Sequence, residues 1–117
     1  MKKVLLVEDY ENWIRLIKTQ LSEKVEVITA ETIQKAYKLF KANPDIKLVI
    51  MDACVPGSTP NTMNLIEDII KDGFTNPIIA MSCTPRHIAT LILSGATHSV
   101  ENKAQVACKV EELLNLK

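Results

Sequence analysis

Two hydrophobic periods alternate along this chain. Lys3 to Val7, KVLLV, is a short continuous apolar run, as expected of a strand buried on both faces. A helical spacing follows, with Trp13, Ile14, Ile17 and Leu21 on one face. Val25 to Thr29, VEVIT, is short and β-branched and predicts a second strand. Ile33, Ala36, Tyr37 and Phe40 then recur at i, i+3, i+4 and i+7, the stripe of an amphipathic helix, and the run Asn43, Pro44, Asp45 stops it. Ile46 to Asp52, IKLVIMD, predicts the third strand. Met63, Ile66, Ile69 and Ile70 mark a third helix, with Gly73 where a helix end favours a left-handed residue. Pro77 to Ser82 predicts a fourth strand. Ile88, Leu91 and Ile92 mark a short fourth helix closed by Gly95. Residues 97–100 predict a weak fifth strand, and Val106, Val110, Leu113 and Leu114 line a last helix.

Five strand–helix units with no linker, repeat or low-complexity stretch predict one α/β domain over residues 1–117. Its sheet is expected to be parallel, with helices on both faces. In such sheets ligands bind beyond the carboxyl ends of the strands, where the strand order switches. Glu8 and Asp9 end the first strand, Asp52 the third and Ser82 the fourth, so all four are expected at one crevice. Each alone has a plain explanation: Asp9 as a helix cap, Asp52 as the start of a turn, Ser82 as a cap of the fourth helix. Capping does not explain an adjacent pair of acids, nor an acid that ends the most apolar strand. Two carboxylates about 4 Å apart repel by roughly 4 kcal/mol at an effective dielectric near 20. A hard divalent cation offsets that repulsion, and Mg²⁺ is usually held by one or two carboxylates plus a phosphate. A carboxylate beside such an ion is able to attack a phosphoryl group and form an aspartyl phosphate.

Composition narrows the classes. With 117 residues, 47% of them hydrophobic, the chain is able to build a core without disulfides. Fourteen basic residues balance fourteen acidic ones, and no basic run stands out, which argues against nucleic acid as a partner. The first apolar run, Val4 to Val7, is too short for an export segment, and no run approaches membrane-spanning length. Cys54, Cys83 and Cys108 are odd in number and lack metal spacing, so reduced thiols and a cytoplasmic location are expected. His87 and His98 have no metal-spaced partner, and no Gly-rich phosphate loop, serine triad or nucleotide fingerprint is present.

VLLVED (Val4 to Asp9), VIMDACVPG (Val49 to Gly57), PIIAMSC (Pro77 to Cys83) and SGATHSV (Ser94 to Val100), in this order and at these distances, resemble the receiver domain of two-component response regulators. The resemblance implies a flavodoxin-like, doubly wound (βα)5 fold with strand order 2-1-3-4-5. It implies Asp52 as phosphoacceptor and Ser82 as switch hydroxyl. Mg²⁺ would be held by Asp9, by Asp52, by Glu8 mostly through water, and by the backbone carbonyl of Cys54. Pro56 would shape the loop after the acceptor, and Cys54 and Thr84 would flank the phosphoryl group. The implied phosphodonor is a histidine kinase or phosphotransfer protein. Output would pass to a protein partner on the face of the fourth helix, fifth strand and last helix, with no nucleic acid or membrane involved.

This sequence also departs from the family pattern. The lysine that usually ends the fifth strand falls on Asn102, and Lys103 comes one residue late. A one-residue slip turns a strand side chain to the other face. Asn102 is therefore the residue expected at the site, with Lys103 there only if the register shifts. The aromatic switch position aligns with Ser99, the fourth helix is expected to be truncated, and Pro60 stiffens the loop GSTPNT. The leading expectation is a stand-alone, atypical receiver that acts as a signalling module and not as an enzyme. The alternative is a degenerate receiver that binds partners independently of phosphorylation. A phosphohydrolase fits poorly, because its nucleophile usually sits on the first strand in an Asp-x-Asp pattern, and here Cys54 holds the second acidic position.

Overall fold

The computed structural model describes residues 1–116. The elements run β1 (Lys3–Val7), α1 (Glu11–Leu21), β2 (Glu26–Ala30), α2 (Ile33–Ala42), β3 (Ile46–Asp52), α3 (Met63–Lys71), β4 (Ile78–Met81), α4 (Pro85–Leu93) and β5 (His98–Val100). A 3₁₀ turn over Lys103–Gln105 then leads into α5 (Val106–Leu113). All strands are parallel, in the order β2-β1-β3-β4-β5. This is the parallel α/β sheet that the alternation of periods predicted, in the flavodoxin-like strand order that the resemblance implied.

The continuous apolar strands are explained by what covers them. Leu5 and Val7 of β1 face a core shared with Ala36 and Phe40 of α2, Leu65, Ile66 and Ile69 of α3, and Leu91 of α4. Val4 and Leu6 face the other core, with Ile14, Ile17 and Leu21 of α1 and Val106 and Val110 of α5. Adjacent side chains on a strand point to opposite faces, so a strand sandwiched between two helix layers must be apolar at every position. β2, at the edge, is less covered and buries only Ala30 fully.

Two helix ends depend on glycine. Gly73 (φ 100°) follows α3, and Phe74 N–H donates to the Ile69 carbonyl at 3.2 Å, which closes the helix with a left-handed turn. Gly95 (φ 123°) follows α4, and a Cβ there would run into Ile70. α4 has nine residues, as α3 has, and begins with Pro85 in its first turn. Among the described residues, no helix is long and apolar enough to cross a membrane.

The strand order reverses at β1. The chain leaves β1 to form β2 on one side, then crosses to β3 on the other. The carboxyl ends of β1 and β3 therefore flank the switch point, where a crevice opens between diverging loops.

Candidate functional site

Glu8 and Asp9 follow the last residue of β1, and Asp52 is the last residue of β3. Because β1 and β3 are paired, with Val7 opposite Met51, the three carboxylates meet. Each offers an oxygen, and these oxygens all lie within 4.8 Å of one another. Glu8 is 1% exposed and Asp52 7%. Asp52 pairs with Met81 of β4, so Ser82, also buried, lies one residue further along the same edge.

A buried carboxylate needs partners, and Glu8 has them. Its Oε2 accepts from the backbone N–H groups of Asp9 and Tyr10, at 3.0 and 3.1 Å. Its Oε1 accepts from Lys103 Nζ at 2.7 Å. The same ammonium lies 3.5 Å from Asp52 Oδ1 and 5.9 Å from the centre of the Trp13 ring. Burial pushes the Asp52 carboxyl up to about 7, and the charge of Glu8 adds to this, while Lys103 pulls the other way. For Lys103, burial works against the charge. The hydrogen bond to Glu8 and the charge of Asp52 outweigh it and raise the lysine above its ordinary value. Asp9 is not the cap of α1. Tyr10 holds that position, and no side chain caps it.

The expectation for Asn102 is corrected here. Asn102 is exposed, and its Oδ1 accepts from Ala104 N–H at 3.0 Å. Lys103, not Asn102, enters the pocket. The register argument assumed that strand alternation continues through residue 102. β5 ends at Val100, however, and the chain turns into a 3₁₀ helix at Lys103. Past the strand end the two-residue period no longer applies, and a residue one place late is able to face inward.

The loop between β3 and α3 is tied down by two residues that pattern reading passed over. Thr62 is fully buried, and its hydroxyl lies 2.9 Å from the Asp52 carbonyl and 3.2 Å from that of Ala53. The Asn61 amide grips Val55 on both sides, accepting from its N–H at 2.8 Å and donating to its carbonyl at 2.9 Å. The signal was present, since Asn and Thr directly before an apolar helical stripe mark a helix start. The loop also contains the cis bond Val55–Pro56. Asp52, Ala53 and Val55 thus have partnered carbonyls, whereas among the described residues the Cys54 carbonyl accepts no hydrogen bond. The Asp9 carboxylate is likewise free of an ion pair there. Three acids face one ammonium, with a carboxylate and a carbonyl to spare. This all-oxygen donor set fits a hard divalent cation such as Mg²⁺.

The remaining candidates lie around this centre. The Ser82 oxygen accepts from Thr84 N–H at 3.1 Å, and Thr84, exposed, is the cap of α4. Cys54 is buried with its sulfur 3.8 Å from His87 Nδ1; burial, and then the charge of Asp52, raise its thiol. Cys83 and Cys108 are exposed free thiols. His98 opens β5, bonded to the Thr97 hydroxyl at 2.9 Å, at the strand end away from the acids. Ser99 is exposed.

No family profile and no curated protein sequence matches this chain. Solved structures do match. A two-component response regulator from Clostridium difficile superposes with a TM-score of 0.81 at 20% identity, over 98% of this chain and 97% of that one. The receiver domain of NtrX from Brucella abortus gives 0.81 at 22%, over 97% and 99%. The chemotaxis protein CheY4 of Vibrio cholerae gives 0.80 at 19%, over 97% and 98%. Across nearly its whole length, this chain has the fold of the response regulator receiver domains.

Proposed function

We propose that this chain is a receiver module of cytoplasmic phosphorelay signalling, with Asp52 as the phosphoacceptor. The observation that carries the reading is the convergence of Glu8, Asp9 and Asp52 with Lys103 at the switch point of a receiver fold. An Asp52 carboxylate oxygen attacks phosphorus. The bond from phosphorus to the donor imidazole of a histidine kinase or phosphotransfer protein breaks, and its electron pair leaves with the imidazole. Mg²⁺, held by Asp9, Asp52 and the Cys54 carbonyl and by Glu8 through water, would supply positive charge against the phosphoryl oxygens. Glu8 fits the indirect role because both its oxygens already have partners. Lys103 moves toward the phosphoryl group from an ammonium position already 3.5 Å from Asp52. Ser82 uses only its oxygen toward Thr84, which leaves its O–H to donate to a phosphoryl oxygen. The product is a signal, read by a protein partner on the face of α4, β5 and α5.

Acetyl phosphate or beryllofluoride with Mg²⁺, followed by intact mass, tests this directly. The expected result is a single adduct lost in Asp52→Asn. Wild type and variant that remain identical in mass would remove phosphorylation from the account. The second reading, a module that binds partners without phosphorylation, is favoured by Ser99, an exposed small residue where the family has its aromatic switch. It requires Asp52→Asn to retain full partner binding in a pull-down.

A further inference from the structure

Asn102 stands beside the pocket without entering it. Its backbone is extended (φ −119°, ψ 112°), its side chain accepts from Ala104 N–H at 3.0 Å, and its carbonyl accepts from Gln105 N–H at 2.9 Å. This is a helix cap, and Asn is among the residues best suited to it. The cap fixes where the 3₁₀ turn begins. Successive side chains of a 3₁₀ helix are separated by about a third of a turn, so the starting residue decides which side chain faces the crevice. With the start at Lys103, that lysine is half-buried against Glu8 and Asp52, while Asn102 and Ala104 are exposed. Nothing else in Glu101–Gln105 makes a side-chain hydrogen bond to the turn among the described residues.

We infer that Asn102 is a positioning residue, whose amide cap aims Lys103 at Glu8 and Asp52. The residue that stands in the lysine's expected place is then the device that delivers the lysine from the next position. The inference rests on the proposed function only for its consequence at Asp52. The placement of Lys103 has a reporter of its own, because Trp13 is the only tryptophan and its ring lies under the ammonium.

The test is a series of variants read in two ways. Trp13 emission is recorded without metal or phosphodonor, with Lys103→Met as the reference for a ring that has lost its ammonium. Asn102→Ala is expected to move the emission toward that reference, and to slow acetyl phosphate labelling of Asp52 about fivefold, the population shift that losing one cap produces. Asn102→Ser, which retains a capping oxygen, is expected to match wild type in both. Rescue by serine separates loss of the cap from loss of the fold. Wild-type emission and rate in Asn102→Ala would overturn the inference, and so would a serine variant as impaired as the alanine one. If wild type takes no phosphoryl group at all, the proposed function falls, while the emission series still decides the role of Asn102.

Discussion

The acid edge of the sheet, at β1 and β3, is built differently from the side formed by β4, α4 and β5. At the acid edge the buried polar groups hold one another. Glu8 binds two backbone N–H groups and Lys103, Thr62 binds two carbonyls, and Asn61 clasps Val55. On the other side, β5 has three residues, none fully buried, and α4 ends with Leu93 89% exposed. Side chains there make few bonds to the rest of the molecule: the Thr97 hydroxyl bonds Ile78 and the Cys54 sulfur lies 3.8 Å from His87, while others, as from Thr97 to His98 or from Thr90 to the Arg86 carbonyl, are local. Chemistry that places charges needs the first kind of construction. A surface that changes partners is served by the second, because little has to be broken for it to move.

The largest expected effect lies at the centre of the rigid edge. Lys103→Met leaves Glu8 buried without its cation, beside a second carboxylate. Removing one partner of a buried pair typically costs about 3–5 kcal/mol, and a loss near the lower bound is expected in urea unfolding, since Lys103 remains partly open to solvent. Added Mg²⁺ is expected to recover part of it. Lys35→Met breaks the exposed pair with Glu31 and is expected to cost less than about 1 kcal/mol. Equal losses in the two variants would erase the distinction between an ion pair that is held in the pocket and one on the open surface.

The sequence could be read wherever a periodic rule governs. β1 and β3 match their apolar runs to the residue, because a strand packed on both faces is interrupted by few polar side chains, here Lys3, Lys47 and Asp52. Glu8, Asp9, Asp52 and Ser82 were legible for the same reason, since each sits where a strand stops. Lys103 was misplaced because its position depends on a turn, and a turn is set by one cap and not by a repeat. Ile70 and Ile92 fitted the apolar stripes of α3 and α4 but are 39% and 41% exposed, since a helix on a sheet buries a narrower face than its sequence offers. Asn61 and Thr62 were passed over as loop residues. Their role is to satisfy carbonyls far from them in pattern, which no hydrophobic period records.

Thr62 supplies the next prediction. Thr62→Val keeps the shape but removes the O–H that serves the Asp52 and Ala53 carbonyls in a site with no solvent access. The Ala53 carbonyl keeps the Asn61 N–H at 2.9 Å, but the Asp52 carbonyl loses the hydroxyl. A buried hydrogen-bonding group left without its partner costs about 1–3 kcal/mol, so a loss toward the lower end of that range is expected by urea unfolding. Thr62→Ser is expected to restore most of it. Because the loop also holds the Cys54 carbonyl, Mg²⁺ affinity read from Trp13 emission is expected to fall in the valine variant and to recover in the serine one. A valine variant with wild-type stability and affinity would mean that the loop holds its shape without Thr62.

The smallest effect is expected at Ser99. It lies on the outer strand of the sheet, its side chain is exposed, and its neighbours in β5 are only half-buried. Ser99→Phe raises strand propensity on a surface that packs against nothing, so stability is expected to change by no more than about 0.5 kcal/mol. Labelling of Asp52 by acetyl phosphate is expected to stay within twofold of wild type (about 0.4 kcal/mol in the barrier). The acid pocket is held by Glu8, Lys103, Asn61 and Thr62, and none of these bonds to β5. β5 reaches the pocket through β4: the Ser82 N–H donates to the Val100 carbonyl at 3.3 Å, and β4 is in turn laddered to β3, with the Ala53 N–H donating to the Met81 carbonyl at 3.3 Å. A several-fold change in labelling would show that β5 is coupled to the pocket through β4, and the contrast between a fixed edge and a yielding side would then have to be given up.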